Sequence, residues 1–414
     1  MSIFVFSDSQ EKIDSSFKFL LISRTARSIA IGFVTLSFSL YLNALGYGLV
    51  FIGLLVLLVV LFNMGTSVVL GSLGDRIGYS RALIVAEALP LVGLIGFALS
   101  TNIYIIEISA MLAGITGSAG GMRGVFSPGT TAFVASNWSN EIDRVSRLSK
   151  MTVVGSLASI VAGLVLVTHG YLTPVFGAEG TFRLLFGVSF FVLLISFLSL
   201  FFLKERKRPK KTTKVMKRES TFYTLRMSLP NMINGSAIGI ATPLLPLWFE
   251  LRYHISTSYV GEIFTLAYAA TALGSFISGR YLNSAHIRAI SVSSIARFLQ
   301  GFLYIVIALV PVLPVAYSLY AIRMGVAGVG TPMRSAISVR GVGNEDYGTA
   351  SSMQGVATRA SQTTSGLSGY LMDLYLASPL LIGGALQVVG SIVYYRVIRD
   401  WEKSHDFSNG SGQA

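Results

Sequence analysis

Residues 49 to 70 carry no charged side chain, and apolar runs of this length recur along the whole chain. A helix of about 20 apolar residues crosses the hydrocarbon core of a bilayer. Twelve such spans are predicted, at residues 19–42, 49–70, 83–99, 103–125, 150–167, 182–203, 222–248, 260–281, 290–312, 315–339, 350–372 and 379–397. The alternating strands of about 10 residues that build an outer-membrane barrel are absent. Glycine recurs inside the spans, as expected where membrane helices approach through small residues. The pattern predicts an all-α polytopic membrane protein with 12 transmembrane helices.

The polar segments between the runs are asymmetric. With the N-terminus inside, nearly all lysines and arginines fall in cytoplasmic segments, while the opposite loops hold only Arg183 and Arg252. Cytoplasmic loops retain excess positive charge, so both termini are placed inside. The largest basic block, "KERKRPKKTTKVMKRE" from Lys204, divides the spans six and six. It reads as a solvated linker on the anionic leaflet. The expected organisation is a six-helix bundle at 1–203, a basic cytoplasmic linker at 204–221, a second six-helix bundle at 222–401 and a tail at 402–414.

The halves echo one another. "NEIDRVSR" from Asn140 and "NEDYGTAS" from Asn344 each begin Asn-Glu, and each precedes a small-residue-rich span. Arg123 and Arg334 stand in "MR" pairs near the cytoplasmic ends of the spans before them. Internal repeats about an axis along the membrane normal are a transporter feature.

Composition narrows the class. Of 414 residues, 52% are hydrophobic and only 12% charged, about half the charged fraction of soluble domains. Mean hydropathy is +0.66. The net charge of +13 is assigned to topology, not to nucleic acid. Cysteine is absent, which removes disulfides, thiol catalysis and thiolate metal sites. No cleavable leader is expected, because residues 1–14 mix Asp8, Glu11, Lys12 and Asp14 with apolar side chains.

One charged segment stands out between the second and third spans: "GSLGDRIGYSR", residues 71 to 81. Gly71, Leu73, Gly74, Asp75, Arg76, Gly78 and Arg81 fit G-x-L-[AG]-D-R-x-G-x-x-[RK], and this loop resembles that of the major facilitator superfamily. Together with twelve spans and a central basic linker, the resemblance extends to Trp401. It implies two bundles that rock about a central site. Asp75 would then be a conformational latch meeting helix ends of the other half, with Arg81 as its local partner and Gly71, Arg76 and Gly78 shaping the turn. The alternative is that these charges only anchor a tight turn. The counterpart loop "GRYLNSAHIR" lacks the Asp. A second segment, "SPGTTAFVASNWSNEIDRVSR" from Ser127, looks like the family's fourth-to-fifth loop, with Ser136 where an Asp is usual and Glu141 or Asp143 as substitutes.

Ionisable residues inside spans are functional candidates by default. Glu87 lies about 9 Å into the third span at 1.5 Å per residue, and Glu107 about one turn into the fourth. Either fits a proton carrier; either also fits a fixed ion pair. The resemblance places spans one, four, seven and ten around the cavity, so Arg27, Asn231, Asn234 and Arg323 are substrate-cavity candidates. Arg323 has few acids in its own half, and arginine recognises carboxylate and phosphate bidentately. Arg123, Arg334 and Arg359 read as structural or gate residues. Pro243 and Pro246 are expected to kink the seventh span.

Phosphate-binding loops, metal-binding histidine pairs and nucleophile elbows are absent, so neither an enzyme, a cofactor nor a metal site is expected. The fifth span reads "VVGSLASIVAGLV", without the proline of the antiporter signature. The expected function is alternating-access transport of a small organic solute across the cytoplasmic membrane. The first reading is proton-coupled efflux by a monomer with no nucleic-acid partner. Uptake or exchange of an organic anion is the alternative. A non-transporting receptor is a further one.

Overall fold

The apolar runs fold as helices, with no strand among the described residues. The computed structural model describes residues 2–115, 126–138, 141–205, 216–278, 289–339, 341–342 and 346–404. The helices are α1 (Ser2–Ala44), α2 (Leu49–Ile77), α3 (Tyr79–Leu99), α4 (Ile103–Ala113), α5 (Phe126–Asn137), α6 (Glu141–Leu200), α7 (Arg218–Ala241), α8 (Leu245–Tyr253), α9 (Thr257–Ile277), α10 (Ala289–Leu309), α11 (Leu313–Val339), α12 (Tyr347–Ser361), α13 (Gly366–Leu374) and α14 (Ser378–Ser404). Seven are long and apolar enough to cross a bilayer, or eight if the broken α7–α8 pair is one span.

Their outward faces require lipid. On α6, Leu184, Val188, Phe191, Ile195 and Leu198 are exposed in a helical stripe, while Leu193, Ser196 and Leu200 on the other side are buried. Large apolar side chains repeating on an exposed helix face are stable only against hydrocarbon. The molecule is an all-α, multi-pass membrane protein.

Five of the expected spans, the fourth to the seventh and the eleventh, are cut short, joined or broken by local features. The described part of the fourth span ends at Ala113, because Gly114 adopts a left-handed conformation (φ 69°) and caps α4. Residues 116–125 lie outside the described residues. The fifth and sixth runs join through a connection that is itself helical, except at Gly177 (φ 71°, ψ 167°). There His169 Nε2 lies 3.2 Å from the Ala178 carbonyl. The seventh run breaks between Ala241 and Leu245, around Pro243, and Pro246 sits in the first turn of α8. The eleventh run passes from α12 to α13 through a 3-10 turn at Gln362–Ser365.

Two compact units form. One comprises Met1–Lys214 with Thr242–Ala269, the other Val215–Ala241 with Ala270–Ala414. Within the first, α3 and α4 touch backbone to backbone: a Cβ on Gly93 would lie 2.5 Å from the Ser109 carbonyl oxygen. Within the second, a Cβ on Gly274 of α9 would lie 2.1 Å from the Gly325 carbonyl of α11. Small residues let membrane helices gain this contact.

Candidate functional site

In the first unit, α1, α3 and α6 bring charged side chains into a buried interior. Glu87 has 0% exposure and Arg27 4%. Their side chains form an ion pair. The second carboxylate oxygen of Glu87 accepts a hydrogen bond from Ser196 of α6. Ser196 Oγ also lies 2.8 Å from Ser23 Oγ of α1. The Arg27 guanidinium stacks 4.6 Å over the Phe126 ring. The acid therefore has a partner on each oxygen, which a buried carboxylate requires. A narrow cleft beside Arg27 is lined by Asn63, Thr66, Pro90, Met111 and Gly114.

One turn earlier on α1, Arg24 is also buried and donates through Nε to the Met151 carbonyl at 3.3 Å. A Cβ on Gly155 would lie 2.2 Å from its Nη2, so Gly155 of the fifth run makes room for this guanidinium. Sequence reading passes over Arg24, although two arginines three residues apart inside one span are a signal in themselves. Glu107 of α4 is half-buried and makes no ion pair among the described residues.

The loop from α2 to α3 turns on Gly78, whose φ of 97° suits glycine alone. Arg76 and Arg81 are exposed. The Asp75 side chain lies outside the described residues, and so do Arg123 and the Glu141 side chain; Asp143 is exposed. A further acid occupies the start of α3. The Ser80 backbone N–H donates to Glu205 Oε2 at 3.0 Å, and Ser80 Oγ donates to the Leu203 carbonyl at 3.2 Å. A carboxylate at a helix N-terminus meets unpaired N–H groups and the positive end of the dipole. At the other end of α3, Arg183 donates to the Ala98 and Leu99 carbonyls, each at 3.1 Å.

The "NWSNEIDRVSR" segment has its own partner. Arg147 pairs with Asp14 at 2.6 Å and stacks over Trp138 at 4.2 Å, and Trp138 Nε1 donates to the same Asp14 oxygen at 3.1 Å.

Elsewhere in this unit, α6 and α9 pack closely. A Cβ on Gly261 would lie 2.7 Å from the Val167 nitrogen. Ser258 Oγ donates to the Val167 carbonyl at 2.9 Å and accepts from the Gly170 N–H at 2.7 Å. Nearby, Glu250 of α8 accepts from Thr257 Oγ1 at 3.0 Å. Two residues past the apolar run, Glu250 reads in sequence as a loop residue.

The second unit gathers arginines instead. Arg297 of α10 donates through Nη2 to Asn231 of α7 at 2.8 Å and stacks 4.0 Å from the centre of the Tyr394 ring of α14. Arg323 of α11 stacks 3.5 Å over Tyr304 of α10. Both arginines are 5% exposed. Arg334, half-buried, donates to Thr331 Oγ1 at 2.7 Å. Asn234 accepts from Gln387 at 3.3 Å, and Arg359 is half-buried on α12.

The profile of the Major Facilitator Superfamily matches residues 20–365. The chain belongs to this family. It is a multi-pass transporter rather than an enzyme. The same fold is present in the human organic anion transporter MFSD10 (TETRAN), at TM-score 0.65 and 15% identity over 93% of this chain and 99% of that one. The nucleoside transporter NupG aligns at TM-score 0.70 and 14% identity, covering 92% and 99%. A peptide transporter POT solved in complex with sulfate aligns at TM-score 0.73 and 13% identity, covering 94% and 98%. At these identities the likeness is one of fold. No curated protein matches the transporter in sequence.

Proposed function

We propose that this transporter exports a small organic solute across the cytoplasmic membrane in exchange for protons. In this reading it is a monomer with twelve spans and both termini inside. Bundles at 1–203 and 222–401, joined by the basic linker, rock about a central site. Asp75 and Arg81 act as the latch of the inward-closed state, and the turn at Gly78 supports that role. Export is the direction of the drug and metabolite efflux members of the family, which the sequence resembles slightly more than it does the sugar porters.

The observation that carries proton coupling is the Arg27–Glu87–Ser196 node, buried inside the bundle. Beside Arg27 the carboxylate is compensated. A movement that draws the guanidinium away leaves a bare charge in low dielectric, which a proton neutralises. Glu107, half-buried and with no ion pair among the described residues, is the second carrier candidate.

A second reading, exchange or uptake of an organic anion, is favoured by Arg297 and Arg323, which are buried without an acid beside them among the described residues. Counterflow separates either transport reading from a receptor. Purified protein in vesicles preloaded with unlabelled solute should accumulate the labelled form against its gradient, tested over lipophilic cations, organic acids and sugars. Binding without exchange for the whole panel contradicts transport.

A further inference from the structure

The second unit holds more buried positive charge than its described neighbours neutralise. Arg334 of α11 lies beside α10: a Cβ on Gly330 would meet both Arg334 Nη1, at 2.9 Å, and the Cβ of Ala296, the residue before Arg297, at 2.8 Å. None of Arg297, Arg323 and Arg334 takes part in an ion pair among the described residues. Nε and Nη1 of Arg297 and Nε of Arg323 are buried with no hydrogen-bond partner in the described protein. Leaving buried guanidinium N–H groups without acceptors is costly.

The arrangement nevertheless holds these side chains in place. Tyr394 and Tyr304 cover the faces of Arg297 and Arg323, while Asn231 accepts from only one nitrogen of Arg297. A stacked guanidinium keeps its edge N–H groups for two oxygens of a carboxylate or phosphonate. In the first unit the arginine of the node has its acid, Glu87. Here Arg297 and Arg323 have no acid beside them among the described residues.

The geometry points to a binding site for the anionic head of the solute, a carboxylate or phosphonate, formed by Arg297 and Arg323 with Arg334 beside them. This inference rests on the transporter reading and adds the solute's chemical class. The oxyanion supplies acceptors that the protein does not, and each charge-assisted hydrogen bond adds specificity for an anion over its neutral isostere.

The test is thermal melting of the full chain in phosphatidylcholine nanodiscs at constant ionic strength. Benzoate, phenylphosphonate, neutral benzamide, sulfate and inorganic phosphate are titrated, with a parallel set of discs containing phosphatidylglycerol. Benzoate or phenylphosphonate should raise the melting temperature and benzamide should not. Apparent affinity should weaken by about tenfold or more in Arg323→Gln and Arg297→Gln, the scale of one lost charge-assisted bond. It should stay unchanged in Arg399→Gln, an exposed-charge control. If the Gln variants do not fold, Arg323→Lys keeps the charge and loses the fork, and should weaken binding as well. Equal protection of parent and arginine variants overturns the site, as does absence of anion protection in the parent. Protection by sulfate and inorganic phosphate alone overturns the organic-anion assignment, and protection by phosphatidylglycerol alone assigns the cluster to lipid. Counterflow of an uncharged solute alongside any of these negative results leaves transport standing and removes only the anion site.

Discussion

Glu87 and Arg297 occupy the same place in their helices: each is the ninth residue of a 21-residue helix, α3 and α10, and their charges are opposite. Each turns inward to partners on an early and a late helix of its own unit. For Glu87 these are Arg27 and Ser196; for Arg297 they are Asn231 and Tyr394. Each unit thus carries a polar node at the ninth residue of a 21-residue helix, and among the described residues only the first is balanced by an opposite charge.

That balance has a measurable consequence. Breaking a buried ion pair on one side leaves an uncompensated charge and costs about 3–5 kcal/mol. Glu87→Gln should therefore lower the melting temperature sharply. Arg27→Gln should do so as well, and the double variant should recover part of the loss. A double-mutant cycle by thermal melting measures the coupling. Additive losses would mean that the two side chains do not interact energetically.

Sequence alone marks Glu87 and Arg27, because charge inside an apolar run is conspicuous. It does not pair them, since they stand 60 positions apart and only the packing of α1 and α3 on α6 brings them together. The break at Pro243 is likewise legible from local chemistry. Glu205 is hidden for a different reason: it sits within a strongly basic block, and only the tertiary path of the chain carries it to the N-terminus of α3. Arg24 is visible as a charge, but the space it needs comes from Gly155 on another helix.

The contact of Glu205 with α3 predicts a modest effect. Glu205→Gln removes the charge from the helix N-terminus and Glu205→Ala removes the acceptor as well. Losses of about 0.5–2 kcal/mol are expected for the alanine variant and less for glutamine. Melting of purified protein checks the order; a larger loss for Gln than for Ala would contradict the capping role.

At the far end of α3, Arg183 satisfies two terminal carbonyls. Arg183→Ala should cost about 1 kcal/mol, and Arg183→Lys less, because an ammonium still donates. Hydrogen exchange localised to residues 96–99 should accelerate in the alanine variant. Uniform exchange across α3 would instead indicate a loss of global stability.

The α6–α9 contact leaves no room for a methyl group at Gly261, where the obstructing atom is backbone. Gly261→Ala should destabilise by about 1–3 kcal/mol through overpacking. Gly355, with open space around its Cβ position, is the matched control, and Gly355→Ala should melt close to the parent. Equal melting of the two variants would contradict the close approach of these helices.

Proton movement through Glu87 is tested most directly by solute-induced proton flux in proteoliposomes carrying a pH dye, with Glu87→Gln and Glu107→Gln beside the parent. Flux is expected in the parent and is lost in Glu87→Gln while that variant still binds solute. Undiminished flux in Glu87→Gln would contradict proton movement through Glu87 and leave the Arg27–Glu87 pair a purely structural link between helices.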